Sequence, residues 1–233
     1  MGQPTGYRRC VGRARAVAGG GRAVEVPPSR LAGWFARFGD RHGAVTRTEL
    51  TPSTVVVTAE DGASATCAVP FGPLPSAGTF EGLAVDALVA HVSRELRLGL
   101  VLVRLGGHSV GVCVGDRVEV SRTDRRLVQG RSAAGGWSQQ RFARRRAGQA
   151  RTALRAAADD VFEVLVPEVS KLDGVVLGGD RSAVDVLRAD PRLAKVFALA
   201  EPRVLDVPEP RRTVLDDVAA RARSVEIVVR EGD

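Results

Sequence analysis

The chain has 233 residues, enough for one large or two small domains, and its 44% hydrophobic content excludes wholesale disorder. A net charge of +7 favours an anionic partner such as nucleic acid, although the near-exclusive use of arginine also fits GC-rich coding. Cys10, Cys67 and Cys113 form no Cys-x-x-Cys pair, and His42, His91 and His108 are scattered, so neither a disulfide framework nor a metal site is expected, and no cofactor is called for. No apolar run approaches the roughly 18–20 residues of a membrane span, and the N-terminus lacks the apolar core of a secretory signal; a cytoplasmic protein without a membrane partner is expected.

Residues 1–21 read as a flexible basic tail ending in Gly19-Gly20-Gly21. Residues 22–80 read as a small N-terminal α+β domain. Its first strand, 23–26, is stopped by Pro27-Pro28, and Ser29 is the expected N-cap of the helix that follows. Leu31, Trp34, Phe35 and Phe38 recur at i, i+3, i+4 and i+7, the spacing that burial produces, so this aromatic stripe reads as core and not as a base-stacking surface. Strands follow at 46–50, 54–59 and 65–69, the last two joined by a Glu60-Asp61-Gly62 turn. The Pro/Gly-rich stretch 70–78 reads as a linker, and the helix at 83–96 marks the passage into a main domain, 81–233.

The main domain opens with strands at 99–105, 109–114 and 117–121, separated by the hairpin signals Gly106-Gly107 and Gly115-Asp116. A long helix is predicted over 139–166, with Leu154, Val161, Phe162 and Leu165 on one face. Then come a buried strand at 174–177, a helix at 183–188 capped by Asp180 or Ser182, a strand at 203–207, a helix at 213–223 and a strand at 225–229. A three-strand meander followed by alternating helices and strands is the ribonuclease-H-like layout with a mixed sheet, of α+β or α/β class. Nuclease chemistry would need carboxylates converging on divalent metals. Strand 99–105 carries no acid, and Asp173, Asp180 and Asp185 cluster at one strand–helix junction as caps. Gly178-Gly179-Asp180 lacks the Lys-Ser/Thr of a phosphate-binding loop and reads as a structural turn.

Charge is concentrated in one place. From Arg122 to Arg151 there are nine arginines against one acid, Asp124. Within this stretch, GGWSQQRFARRR begins with Gly135 and Gly136, which permit backbone angles closed to other residues. Gln139 or Gln140 is placed to present an amide beyond them. Composition alone would read this as a linker with Ser138 as N-cap. Arg141, Arg144, Arg145 and Arg146, with no compensating acids, repel one another, and a polyanion relieves that repulsion. These four, with Arg131 and Arg151, are the expected RNA contacts. Trp137 either stacks on a nucleobase or anchors the loop. The segment 125–138 has no apolar period and is expected to exchange its amide hydrogens rapidly in the free protein.

Gly135, Gly136, Ser138, Arg141, Phe142, Ala143, Arg144 and Arg146 stand in the same order in a known motif. They resemble the loop and helix in the middle domain of eukaryotic and archaeal class I peptide-chain release factors, where a Gly-Gly-Gln tip precedes a Ser and an Arg-Phe-Ala-Arg-x-Arg helix start. Here Trp137 occupies the release-factor glutamine position, and the glutamine comes two residues later. The resulting Gly136-Trp137-Ser138-Gln139 spacing is the hallmark of the Vms-like release-factor peptidyl-tRNA hydrolases, and the chain resembles their actinobacterial branch from Leu98 to the C-terminus.

The resemblance implies a ribonuclease-H-like catalytic domain and a peptidyl-tRNA hydrolase active on stalled ribosomal large subunits in ribosome-associated quality control. It implies roles for Gln139 in orienting water, for Gly135 and Gly136 in giving the loop its reach, and for the arginine helix in gripping ribosomal or transfer RNA. The implied protein works as a monomer without a cofactor. Its chemistry requires no strong base, because an ester is already activated and a positioned water with charge stabilisation supplies the rate. A neutral glutamine offers donor and acceptor together. The alternative is a non-catalytic RNA-binding or ribosome-docking protein.

Overall fold

The computed structural model describes residues 14–125 and 137–232, with backbone alone for 137–144 and 146. Their contacts divide the chain into two units: residues up to Arg94 together with the segment from Arg223, and Glu95–Ala222.

The first unit is built on a seven-stranded antiparallel sheet. Its strands are β1 (Arg15–Ala16), β2 (Arg22–Val26), β3 (Val45–Leu50), β4 (Thr54–Ala59), β5 (Ser64–Ala68), β6 (Gly78–Glu81) and β12 (Val225–Arg230), ordered β1-β2-β12-β5-β4-β3-β6. Helices α1 (Pro28–Arg41) and α2 (Asp86–Ser93) supply Leu31, Phe35, Phe38, Leu88 and Val92 to a core shared with Val55, Val57, Ala65, Cys67 and Ile227. Each fully buried Leu or Phe contributes roughly 1.5–3 kcal/mol to such a core.

Five features of this unit differ from the sequence expectation. Part of the expected tail, Arg15–Ala16, pairs antiparallel with β2. Helix α1 starts with Pro28 as its first residue and Pro27 as N-cap, not at Ser29, because a proline at that position lacks only an N–H that would be unpaired anyway. The end of the expected linker and the residues beyond it form β6, whose four residues are all exposed on the sheet edge beside β3. The C-terminal strand, assigned from sequence to the main domain, lies between β2 and β5, with Ile227 paired to Val24 and to Cys67. The helix α2 also belongs to this first unit, beyond the expected boundary at residue 80.

The second unit carries a five-stranded mixed sheet. The antiparallel meander is β7 (Arg97–Arg104), β8 (Gly107–Val114) and β9 (Arg117–Arg125); β10 (Gly174–Gly179) runs parallel to β7, and β11 (Ala200–Leu205) parallel to β10. The order β11-β10-β7-β8-β9 is the ribonuclease-H-like arrangement expected from the sequence. Helices α3 (Trp137–Leu165) and α4 (Arg181–Arg188), with the short α5 (Ala194–Phe197), share a core with Val101, Val103, Val110, Val112, Val175 and Leu177. Helix α6 (Arg212–Arg221) covers the other face, where Leu215 approaches Gly111. Burial on both faces explains why β7 reads as the unbroken apolar run LGLVLV.

Two glycines mark close approaches in this unit. A Cβ on Gly99 would stand 3.1–3.3 Å from Val175, Leu172 and Leu165, so the strand lies tight against the end of α3. Gly179 has φ +105° and lies against the Val103 carbonyl, which also accepts a hydrogen bond from Asp180 N–H at 2.9 Å. The Gly178-Gly179-Asp180 segment is therefore a structural turn. Asp180 occupies the N-cap of α4 without a side-chain cap bond; its carboxylate instead accepts from Arg104 Nε at 3.1 Å. Asp173 accepts from the Arg97 N–H at 2.7 Å.

Candidate functional site

The candidate residues gather on helix α3, and the charge order along that helix is unusual. All six of its arginines (Arg141, Arg144, Arg145, Arg146, Arg151, Arg155) precede all three of its acids (Asp159, Asp160, Glu163). The helix dipole favours the opposite order, acids near the N-terminus and bases near the C-terminus. The first turn contains no acid and the last turn no base. Helix stability therefore does not account for the pattern.

The C-terminal half of α3 is fixed to the sheet by packing and by paired charge. Ala153, Leu154, Ala157, Ala158, Val161, Val164 and Leu165 are buried. Phe162, expected from sequence on the apolar face, is instead 40% exposed, with the Arg192 guanidinium over its ring at 5.6 Å. His108, buried on β8, meets Asp160 with Nε2 2.7 Å from Oδ2. Arg122 of β9 donates to the other Asp160 oxygen at 3.2 Å and pairs with Glu163. Arg192 bridges Asp159 at 2.9 Å and Asp190 at 2.7 Å. The Asp190 carboxyl is held below its ordinary range mainly by the Arg192 side chain. The sequence reading missed these fastenings, because nothing in the spacing of His108, Asp160 and Arg122 links residues on three separate elements.

The N-terminal half is different. Trp137, Ser138 and Gln139 open the helix, so their backbone N–H groups have no partner within it. Gln139 thus stands on the positive end of the helix dipole, three residues after Gly136. Between Trp137 and Ala153 the helix rises by about 24 Å. Arg145, Arg151 and Arg155 are exposed, and none has an ion-pair partner among the described residues. Arg151 and Arg155 line a groove of about 500 Å³ with Leu154, Val186, Leu187 and Arg192. Arg155 was not among the expected contacts, yet it extends them by one turn.

Two of the nine arginines counted in the basic stretch are neutralised locally. Arg122 is held as above, and Arg125 Nη2 donates to Glu209 at 2.9 Å and 3.1 Å. The positions of Trp137, Gln139, Arg141, Arg144 and Arg146 are helical in backbone. Gly135, Gly136 and Arg131 lie outside the described residues, as does all of the segment expected to exchange rapidly except Arg125, the last residue of β9, and Trp137 and Ser138, which begin α3. Among the described residues, no group of three or more His, Cys, Asp or Glu side chains is placed to hold a metal ion, and no helix is long and apolar enough to cross a membrane.

Comparison with known proteins gives one family match. Residues 96–228 match the model of the Actinobacteria/chloroflexi VLRF1 release factor family. No curated protein sequence matches. Among solved structures, the archaeal translation termination factor aRF1 has a TM-score of 0.41 at 15% identity, over 85% of this chain and 63% of that one. Dom34 of S. cerevisiae, described as a translation termination-like factor involved in RNA quality control pathways and interacting with Hbs1, has a TM-score of 0.32 at 9% identity, over 89% and 66%. Pelota of Archaeoglobus fulgidus has a TM-score of 0.29 at 13% identity, over 91% and 68%. The chain spans about two thirds of the length of these three proteins.

Proposed function

Since the chain belongs to the Actinobacteria/chloroflexi VLRF1 release factor family, we propose that it is a peptidyl-tRNA hydrolase that frees nascent chains from stalled ribosomal large subunits. One arrangement carries this reading: Gln139 in the first turn of α3, three residues after Gly136 and two before Arg141, where the arginine block begins. The second unit anchors the far end of that helix through Leu165 and the His108–Asp160 pair.

The reaction is attack of water on the ester carbonyl that joins the peptide to the 3′ ribose of tRNA. The carbonyl–ribose oxygen bond breaks, the peptide leaves as a carboxylic acid, and the ribose regains its hydroxyl. Gln139 accepts a hydrogen bond from the attacking water through its amide oxygen and so fixes its direction; orientation of this kind can lower a barrier by several kcal/mol. The unpaired N–H groups of the first turn and the neighbouring guanidiniums favour the negative charge that develops on the carbonyl oxygen. Arg141, Arg144, Arg145, Arg146 and Arg151 hold phosphates of ribosomal or transfer RNA; such contacts position the loop without reading sequence. Trp137, beside the reacting region, contacts RNA.

The test is single-turnover release of labelled peptide from peptidyl-tRNA on isolated large-subunit complexes, with binding measured in parallel. Binding with release supports hydrolysis. Tight binding without release would replace this reading with a non-catalytic docking protein, which the arginine half of α3 alone would serve.

A further inference from the structure

The first unit has a basic cleft of its own. Helix α1 carries Trp34, Arg37, Phe38 and Arg41 along one stripe, and with Arg22 of β2 and His42 they line a cleft of about 250 Å³. The sequence reading assigned the aromatic stripe wholly to the core. Leu31, Phe35 and Phe38 are indeed buried, but Trp34 is only half-buried and lines the cleft. Its ring stacks on Phe38 with centroids 5.9 Å apart and planes 10° apart, which holds it in one orientation.

Among the described residues the charge in the cleft is only partly compensated. Arg37 and Arg41 have no ion-pair partner among the described residues, and neighbouring Asp40 pairs with neither. Arg37 lies back along the helix, because Gly33 leaves it room: a Cβ there would come within 3.3 Å of Nη1. Two carboxylates reach the rim. Asp61 is engaged by His42 Nδ1 at 2.7 Å and by the Ala63 N–H at 2.9 Å. Glu231, 63% exposed, lies 3.3 Å from Arg22 and 3.9 Å from His42 Nε2. An exposed pair such as Arg22–Glu231 is worth little and yields to a stronger anion. Guanidiniums around a fixed, half-exposed indole form the pairing that binds single-stranded nucleic acid, phosphate on the cations and base on the ring. The volume lies just below the roughly 300–1,000 Å³ of small-ligand sites, so it suits one nucleotide of a longer strand.

We propose that this cleft of the first unit is a single-stranded RNA site, in which Arg37, Arg41 and Arg22 hold the phosphodiester and Trp34 stacks on one base. It is independent of the hydrolase reading, which concerns the second unit.

Trp34 and Trp137 are the two tryptophans of the chain, so a W137F/R141A/R144A/R145A/R146A/R151A/R155A background leaves Trp34 as the sole indole and removes the α3 arginines. Titration of that protein with an oligoadenylate decamer should quench Trp34 emission. Adding R37A/R41A, two exposed positions, should weaken binding about tenfold at low salt and make the salt slope shallower by about two. E231Q should tighten it. Adenosine monophosphate should compete better than inorganic phosphate. No quenching, or quenching indifferent to R37A/R41A, would overturn the proposal. Equal competition by phosphate and the nucleotide would remove the base contact and with it the RNA assignment.

Discussion

The two halves of helix α3 use charge in opposite ways. In the C-terminal half every acid has found a partner on another element: Asp159 on Arg192, Asp160 on His108 and Arg122, Glu163 on Arg122. Beneath those pairs runs a continuous buried stripe from Ala153 to Leu165. In the N-terminal half Arg145 and Arg151 have no ion-pair partner among the described residues, and the dipole makes their placement unfavourable. Charge that the fold satisfies belongs to the fold. Charge that it leaves unsatisfied, on a helix already held by its other end, is available to a polyanion.

The contrast can be broken by substitution. The largest effect should come from the packed half. Leu165→Ala removes a fully buried side chain wedged against Gly99 and should cost about 2–5 kcal/mol in denaturant unfolding. His108→Ala should cost less, about 1–3 kcal/mol, because it strips a buried partner from Asp160. In the basic half, Arg151→Ala with Arg155→Ala should leave stability within about 0.5 kcal/mol of the parent. The same pair should lower RNA affinity and make its salt dependence shallower. If the arginine pair destabilised the fold as much as Leu165→Ala, the two halves would not differ as claimed.

The smallest effect is a pH effect. Asp190 titrates below its ordinary range chiefly because of Arg192, and Glu168 does so chiefly because of Arg97 and then Lys171. A carboxylate whose folded value is depressed stabilises the protein above its unfolded value and loses that contribution as pH falls through the folded one. Stability should therefore hold between pH 5 and 7 and decline below about pH 4, read as thermal midpoints at low salt. Both pairs are partly open to solvent, so added salt should shrink the decline. A midpoint unchanged down to pH 3 would show these pairs to be idle.

Much of this was legible in the sequence. The meander announced itself because Gly106-Gly107 and Gly115-Asp116 are turn signals between β-branched runs, and the long helix because its apolar residues recur at 3.6-residue spacing. The alternation of Val225, Ile227 and Val229 gave a half-buried strand. It carried no information on which sheet would receive that strand, since its partners Val24 and Cys67 lie far back in the chain. Phe162 was misplaced because hydrophobicity alone assigns a phenyl ring to the core, whereas Arg192 covers it from outside. At the site, residue order and the release-factor resemblance singled out Gln139 and the arginine block as candidates. Pairing did not show in the sequence, so Arg122 and Arg125 counted toward the basic stretch alongside Arg151.

In the proposed reaction Gln139 directs the attacking water while the arginines supply binding. This division is tested most directly by comparing Gln139→Ala with Gln140→Ala in single-turnover peptide release on large-subunit complexes, with complex affinity measured alongside. Gln139→Ala should lose release by at least about a hundredfold at unchanged affinity, as expected when orientation of a reacting group is lost, while Gln140→Ala should have little effect. Release undiminished in both variants would contradict this division.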